Sequence, residues 1–341
     1  MSAPITTGYL KNWKRNFLGI AISCACLGFI AWQIDINEVR HSISHFRWPY
    51  LFWGVLLLAF GYTMRILRWS VLLRAASAKV TIISCAAPFL GSIALNNVLP
   101  MRIGDIVRAF VFPNAIGVSK TIATGSLVME RLVDLMTLLA CLVIGLVINP
   151  KTQLPLWMAN TAISLAIVGG VLLLLVFLFS GMLSRWCTKL IEGAWTVKYS
   201  KRKRLLTTCQ DLLNSFDLMS RLWILIGLFI LSMLVWAGEA GLYWAILQGF
   251  SFEAKPETAI IVMAIVTLST LVPSSPGYVG PFHLAAYATI SMLGGTQAQA
   301  ASFAVVSHLG VWLPTTLVGA VAILFNPHLF SGLKSKAVTI Q

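Results

Sequence analysis

The sequence predicts an all-α polytopic membrane protein, a single membrane domain over residues 1–341 with about six full transmembrane helices and two broken or re-entrant helical hairpins in an inverted arrangement. Three observations predict it. Apolar residues make up 58% of the chain against 11% charged ones, and the mean hydropathy is +0.85, more than a water-facing surface accommodates. Apolar runs long enough to cross a hydrocarbon core of about 30 Å recur from end to end. Two further apolar stretches are interrupted near their middles by Pro and Gly, as helices broken at membrane depth are.

The six uninterrupted runs lie at about 17–34, 49–67, 125–148, 158–180, 222–248 and 302–325. The first follows Lys11, Lys14 and Arg15 and has no small-residue cleavage site, so it reads as a retained helix. The net charge of +14 comes from 25 Lys and Arg against 11 Asp and Glu. These cations cluster beside apolar runs, as at Arg65, Arg68, Arg74 and Lys79, and again at Lys198, Lys201, Arg202, Lys203 and Arg204. That pattern points to lipid phosphates at a cytoplasmic surface and argues against nucleic acid. Cys24, Cys26, Cys85, Cys141, Cys187 and Cys209 show neither a disulfide framework nor zinc spacing and read as small apolar fillers.

Charge counting orients the chain. With a cytoplasmic N terminus and residues 81–112 returning to the side they entered from, Lys79, Lys120, the 198–204 cluster and the tail with Lys334 and Lys336 are all cytoplasmic. A single crossing at 81–112 would put the 198–204 cluster outside. A re-entrant hairpin and a tight pair of crossings give the same parity, and the count does not choose between them.

The two interrupted stretches, 81–112 and 258–294, then enter from opposite faces, which divides the domain into a first half at 49–148 and a second at 222–325. Their centres look alike. "VLPMRIG" carries Pro100 and Gly104, and "LVPSSPG" carries Pro273, Pro276 and Gly277, with Gly280 beyond; an apolar residue, Pro, three residues and Gly is the shared pattern. Paired broken helices at corresponding positions of two halves mark the binding site of many transporters.

The run Asn96, Leu99, Pro100, Arg102, Gly104, Asp105 and Arg108, then "ERLVDL" at 130–135, then "PSSPGYVGPFH" at 273–283, resembles the lysylphosphatidylglycerol synthase transmembrane-region family over nearly the whole chain. The resemblance implies a flippase-like membrane protein. It does not carry lysyl transfer, because the soluble aminoacyl-transferring domain of the synthase members has no counterpart in this sequence. Where many members have a glutamate, this chain has His283.

Arg102 and Arg108 are costly if stranded in hydrocarbon, so they must face partners, a cavity or the interface. One reading has them bind a headgroup phosphate, helped by amides freed where Pro100 and Gly104 break the helix. The other pairs each of them with Asp105, three residues away along a helix. Asn96, Asn97, Ser274 and Ser275 are expected to cap the broken helices or line the cavity. Glu130 and Asp134 share a helix face, with Arg131 turned away; they either pair with Arg102 or Arg108 or serve as a proton or cation site. Glu239 has no partner nearby in sequence and reads as coupling or counter-charge. His283 is a candidate proton relay, His308 a weaker one placed near the outer end of the last crossing, and Arg65, Arg68 and Trp69 are expected to anchor at the cytoplasmic interface by snorkelling.

No Gly-rich phosphate loop, zinc motif or nucleophile elbow occurs in the sequence, so the chain is expected not to be an enzyme and to need no cofactor or metal. The expected function is translocation of an anionic, phosphate-bearing lipid or lipid-linked intermediate across the bacterial cytoplasmic (inner) membrane, with both termini cytoplasmic. The alternatives are a secondary transporter of a small soluble anion and a non-catalytic scaffold subunit in envelope lipid or polysaccharide synthesis. Membrane lipids with anionic headgroups are the expected partners, envelope-biosynthesis proteins are further candidates, and nothing in the sequence specifies an oligomer.

Overall fold

The computed structural model describes residues 6–148 and 221–330 apart from 253 and 273, with scattered helical positions between 164 and 219; side chains are described from Gly19 onward. Most of the crossing expected at 158–180, the cluster at 198–204, Cys187, Cys209, Pro273, Lys334 and Lys336 lie outside the described residues.

Among the described residues every regular element is helical. In chain order they are α1 (Thr6–Gln33), α2 (Ile36–Ser44), α3 (Trp48–Ala75), α4 (Ile82–Val98), α5 (Ile103–Phe110), α6 (Lys120–Ile148), α7 (Leu222–Gly249), α8 (Pro256–Ser269), α9 (Pro281–Met292) and α10 (Gln297–Phe325). The helix starts follow from local chemistry. Asp35 accepts from the Asn37 amide at 2.7 Å to cap α2, Thr81 with Ser84 and Thr296 with Gln299 form capping boxes on α4 and α10, and Pro256 opens α8.

Four helices, α3, α6, α7 and α10, are long and apolar enough to span a bilayer, and their outward residues, such as Phe52, Trp53, Leu324 and Phe325, are exposed apolar surface. The protein is an integral membrane protein. The expected first crossing falls inside α1, which after it bends by 87° at residues 34–35 into α2, a helix that buries none of its residues. α4, α5, α8 and α9 have 17, 8, 14 and 12 residues, each short of the roughly 20 a crossing needs. α5 folds back on α4, and α9 on α8. Gly104 makes the first fold possible, since a β-carbon there would overlap the Ser92 carbonyl oxygen.

Packing repeats between the two sets of elements. α3 and α7, of 28 residues each, run antiparallel, with Gly54 against Leu242 and Gly61 against Val235 and Gly238. A β-carbon on Gly238 would lie 2.6 Å from the Leu57 carbonyl oxygen, so the small residues set this close crossing. α4 packs on α10 while α8 packs on α6, and α5 packs on α6 while α9 packs on α10; α6 and α10 have 29 residues each.

The breaks correspond too, in a register other than the one expected from Pro100 with Pro273 and Gly104 with Gly277. Pro100–Arg102 and Pro276–Tyr278 each form a single 3-10 turn. Within them Met101 and Arg102 have φ of 63° and 52°, and Gly277 and Tyr278 have 73° and 60°. The proline that opens each turn forces its predecessor, Leu99 or Ser275, into extended backbone. A paired left-handed conformation, which spacing of Pro and Gly does not reveal, is what the breaks share.

Candidate functional site

Four arginines and four carboxylates meet where α3, α5, α6 and α7 converge. The "ERLVDL" turns of α6 supply Glu130, Arg131 and Asp134, α3 supplies Arg65 and Arg68, α5 supplies Asp105 and Arg108, and α7 supplies Glu239. Arg65 Nη2 donates to Glu239 Oε2 at 2.7 Å, and Arg68 Nη1 donates to Asp134 Oδ1 at 2.6 Å and to Ser232 Oγ at 2.7 Å. Arg108 Nη2 donates to Glu130 Oε1 at 3.1 Å, and Arg131 Nη2 reaches both oxygens of Asp105 at 3.1 and 3.2 Å. Weaker approaches link these pairs: Arg65 to Asp134 at 3.9 Å, Arg68 to Glu130 at 4.0 Å and Arg131 to Asp134 at 3.8 Å.

This geometry corrects three expectations. Arg68 is fully buried and Arg65 is 11% exposed at its side chain, so neither snorkels; Trp69, also buried, donates to Ser126 Oγ at 3.1 Å. Arg131 does not turn away, because its long side chain reaches round the helix to Asp105. Asp105 pairs with Arg131 across two elements and not with Arg102 or Arg108 in its own helix. Glu239, with no partner nearby in sequence, finds its partners across the fold, where the antiparallel α3–α7 crossing and α8 bring Arg65 and Thr267 Oγ1 to it, the latter at 3.0 Å.

Arg108 is also placed differently from the phosphate-binding expectation. It is 1% exposed, lies over the Phe89 and Trp69 rings at 4.7 and 5.3 Å, and lines neither central cavity. Its ion pair with Glu130 is part of the protein interior.

Arg102 is the exception among these cations. Eight network charges balance, four against four, and Arg102 is left over. Among the described residues no carboxylate comes within 4.0 Å of it. Its Nη2 donates to the Thr270 carbonyl at 3.1 Å and Oγ1 at 3.3 Å, and its guanidinium carbon lies 5.5 Å from the Tyr278 ring centroid. Both contacts belong to the second break or the helix end leading to it.

Two cavities meet at this residue. One, of about 560 Å³, is bordered by Arg65, Arg131, Asp134, Glu239, Trp236 and Trp312 among others. The other, of about 630 Å³, lies beside α1 and both breaks and is bordered by Ile20, Leu99, Met101, Val272, Ser274 and Ser275. Arg102, Thr270 and Tyr278 line both and form the partition.

The remaining expected residues take supporting positions. Asn96 Oδ1 accepts from the Asp105 amide at 3.1 Å while its Nδ2 donates to Asp105 Oδ1 at 2.9 Å, so it caps α5 from across the hairpin. Asn97 Nδ2 donates to Thr315 and Thr316 at 2.9 Å each, tying α4 to α10. Ser275 is fixed by its amide donating to Ser23 Oγ at 3.0 Å. His308 sits inside α10 and not at its outer end; its Nε2 is 2.8 Å from the Gly277 carbonyl, and the His283 ring stands 4.6 Å away, so both histidines buttress the second break.

Sequence reasoning missed Ser23, Thr270, Tyr278 and Trp236. Their signal is weak: Ser23, Thr270 and Trp236 lie in apolar runs where a hydroxyl or an aromatic ring is unremarkable, and Tyr278 sits inside the second break among residues read for backbone and not for side chain.

Compared with curated proteins, the sequence has no match. It does match the family model described as the lysylphosphatidylglycerol synthase TM region, over residues 16–319. With that match spanning helices α1 to α10 and all the residues of the charged network, the chain belongs to the lysylphosphatidylglycerol synthase transmembrane-region family.

Proposed function

We propose that the protein is a lipid translocator that carries an anionic, phosphate-bearing lipid or lipid-linked intermediate across the bacterial cytoplasmic membrane, with both termini cytoplasmic. The observation that carries this reading is Arg102: among the described residues it has no carboxylate partner and is held by hydroxyl, carbonyl and ring contacts, in the wall shared by two cavities. A phosphate outcompetes a carbonyl for a guanidinium because it adds a formal negative charge and two oxygens that match the planar fork. Membership of a membrane family tied to lipid synthesis and translocation supports it.

In this reading α3–α6 and α7–α10 are inverted halves, and α4–α5 and α8–α9 are re-entrant hairpins whose tips meet at mid-membrane. The antiparallel α3–α7 pair, the matched packing and the matched left-handed turns support that arrangement. Alternating access then follows from rocking one half against the other about α3 and α7. Arg102 binds the phosphate, Glu239 and Asp134 at the cavity wall supply counter-charge or coupling, and Arg108 with Glu130 holds the frame. No bond is made or broken in the cycle, so we assign no catalytic residue.

The test is headgroup translocation of labelled anionic lipids, isoprenyl phosphates among them, in proteoliposomes of the purified protein. Movement that Arg102→Ala abolishes supports the reading; a folded protein that moves none of them sinks it. A scaffold role is the second reading, favoured by the dense pairing of the network.

A further inference from the structure

The cavity beside α1 has features the transport reading does not use. Its polar side is Arg102, Ser274 and Ser275, and its apolar side is built from Ile20, Leu99, Met101, Leu271 and Val272. One wall is a single helix. α1 rests on the second break with no room to spare: a β-carbon on Gly19 would lie 2.9 Å from the Ser274 carbonyl oxygen, and one on Gly280 would lie 2.6 Å from Ser23 Cα. The Ser23 hydroxyl hooks the two together, donating to the Val279 carbonyl at 2.7 Å and accepting from the Ser275 amide at 3.0 Å.

The far end of α1 is built differently. It leads through residues 34–35 and the 87° bend into α2. α2 is fixed to the body by packing on α10, with Ser302 Oγ donating to the Val39 carbonyl at 3.3 Å. Between hook and bend, α1 presents Leu27, Phe29 and Trp32 outward, and Gly28 has no neighbour a β-carbon would touch. Among the described side chains of α1, Ser23 supplies the polar latch to the second break, while Ile30, buried in the core, holds the helix nearer the bend; with that latch opened, α1 is a wall that can swing about the bend.

We infer that this cavity is a vestibule that binds an amphiphilic phosphate ester, its phosphate on Arg102 and its alkyl or isoprenyl chain along the α1 side, and that α1 is the door through which the chain passes. The inference rests on the lipid reading of the central site and adds a binding site in series with it. Phosphate oxygens replace the Thr270 carbonyl as the acceptor of Arg102, which loosens the partition toward the central cavity. A free phosphate shares the headgroup chemistry but leaves the apolar wall without a partner.

Substituted-cysteine protection in lipid nanodiscs tests it. In a background with the six native cysteines replaced by alanine, Ser274→Cys and Ile20→Cys serve as separate reporters, labelled with a membrane-permeant thiol reagent in the presence of dodecyl phosphate, dodecanol or inorganic phosphate. The expected result is a several-fold slowing by dodecyl phosphate alone at both positions, lost on adding Arg102→Gln. Ser23→Ala is expected to speed labelling of the unliganded protein several-fold. No slowing by dodecyl phosphate, equal slowing by dodecanol or by inorganic phosphate, or slowing that survives Arg102→Gln overturns the vestibule; unchanged labelling in Ser23→Ala overturns the door. Translocation measured on the same reporter proteins separates the two readings: transport without protection removes the vestibule alone, and protection without transport removes the flippase reading.

Discussion

Arg102 and Tyr278 stand at the tips of different hairpins, yet both have left-handed backbone, φ 52° and 60°, and the guanidinium of one lies over the ring of the other at 5.5 Å. Left-handed backbone costs a non-glycine residue roughly 1–2 kcal/mol. Two such residues touching, in the wall between two cavities, place stored strain where a headgroup would have to pass.

Arg102→Gly is expected to abolish translocation of anionic lipid while leaving the thermal unfolding midpoint at or above that of the wild type. Glycine relieves the left-handed strain, and no carboxylate loses a partner. Arg102→Lys should keep partial activity, since it retains the charge without the planar fork. A large drop in the midpoint of Arg102→Gly, read by fluorescence-detected unfolding in detergent, would place Arg102 in the structural frame.

Arg108→Ala and Glu130→Ala should behave in the opposite way, each lowering stability by about 3–5 kcal/mol because each strands a buried charge. The buried Nε and Nη1 of Arg108 and Oε2 of Glu130 have no hydrogen-bond partner among the described residues, so the pair rests on one hydrogen bond, Nη2 to Oε1 at 3.1 Å, and on charge attraction. Arg108→Met combined with Glu130→Leu should recover most of the loss. Equal damage in the double variant would show that the two charges act separately.

Glu239→Gln leaves the Thr267 hydrogen bond possible but removes the anion that holds Arg65 at 2.7 Å. If Glu239 couples transport to protons, translocation in this variant stops responding to an imposed pH gradient while basal movement of lipid persists. A gradient response equal to that of the wild type would assign Glu239 to counter-charge alone.

Gly104→Ala is expected to be among the most damaging conservative changes, because the new methyl group meets the Ser92 carbonyl and the Asn96 side chain, which is 2.7 Å away. Overpacking of this kind typically costs about 1–3 kcal/mol. Asn96→Ala, which removes the cap on the Asp105 amide, should cost about 1 kcal/mol. Paired melting curves of the two variants check the order.

The apolar runs and the Pro and Gly that interrupt two of them determined by themselves that the chain is helical, membrane-embedded and broken near Pro100 and Pro276, because helix length, hydrogen-bond satisfaction and proline geometry are local properties. They also singled out Asp105, Arg108, Glu130, Asp134 and Glu239 of the network, but set Arg65 and Arg68 at the interface and turned Arg131 away. Its wiring was beyond local reading. Arg65 meets Glu239 only because small residues let α3 and α7 cross antiparallel, Arg131 reaches Asp105 only because α5 folds back beside α6, and Arg68 is buried only because Asp134 and Ser232 arrive from other helices. A charge in an apolar sequence announces that it must be compensated; which partner compensates it, and that Arg102 has a carbonyl, a hydroxyl and a ring beside it in place of a carboxylate among the described residues, is decided by contacts between residues far apart in the chain.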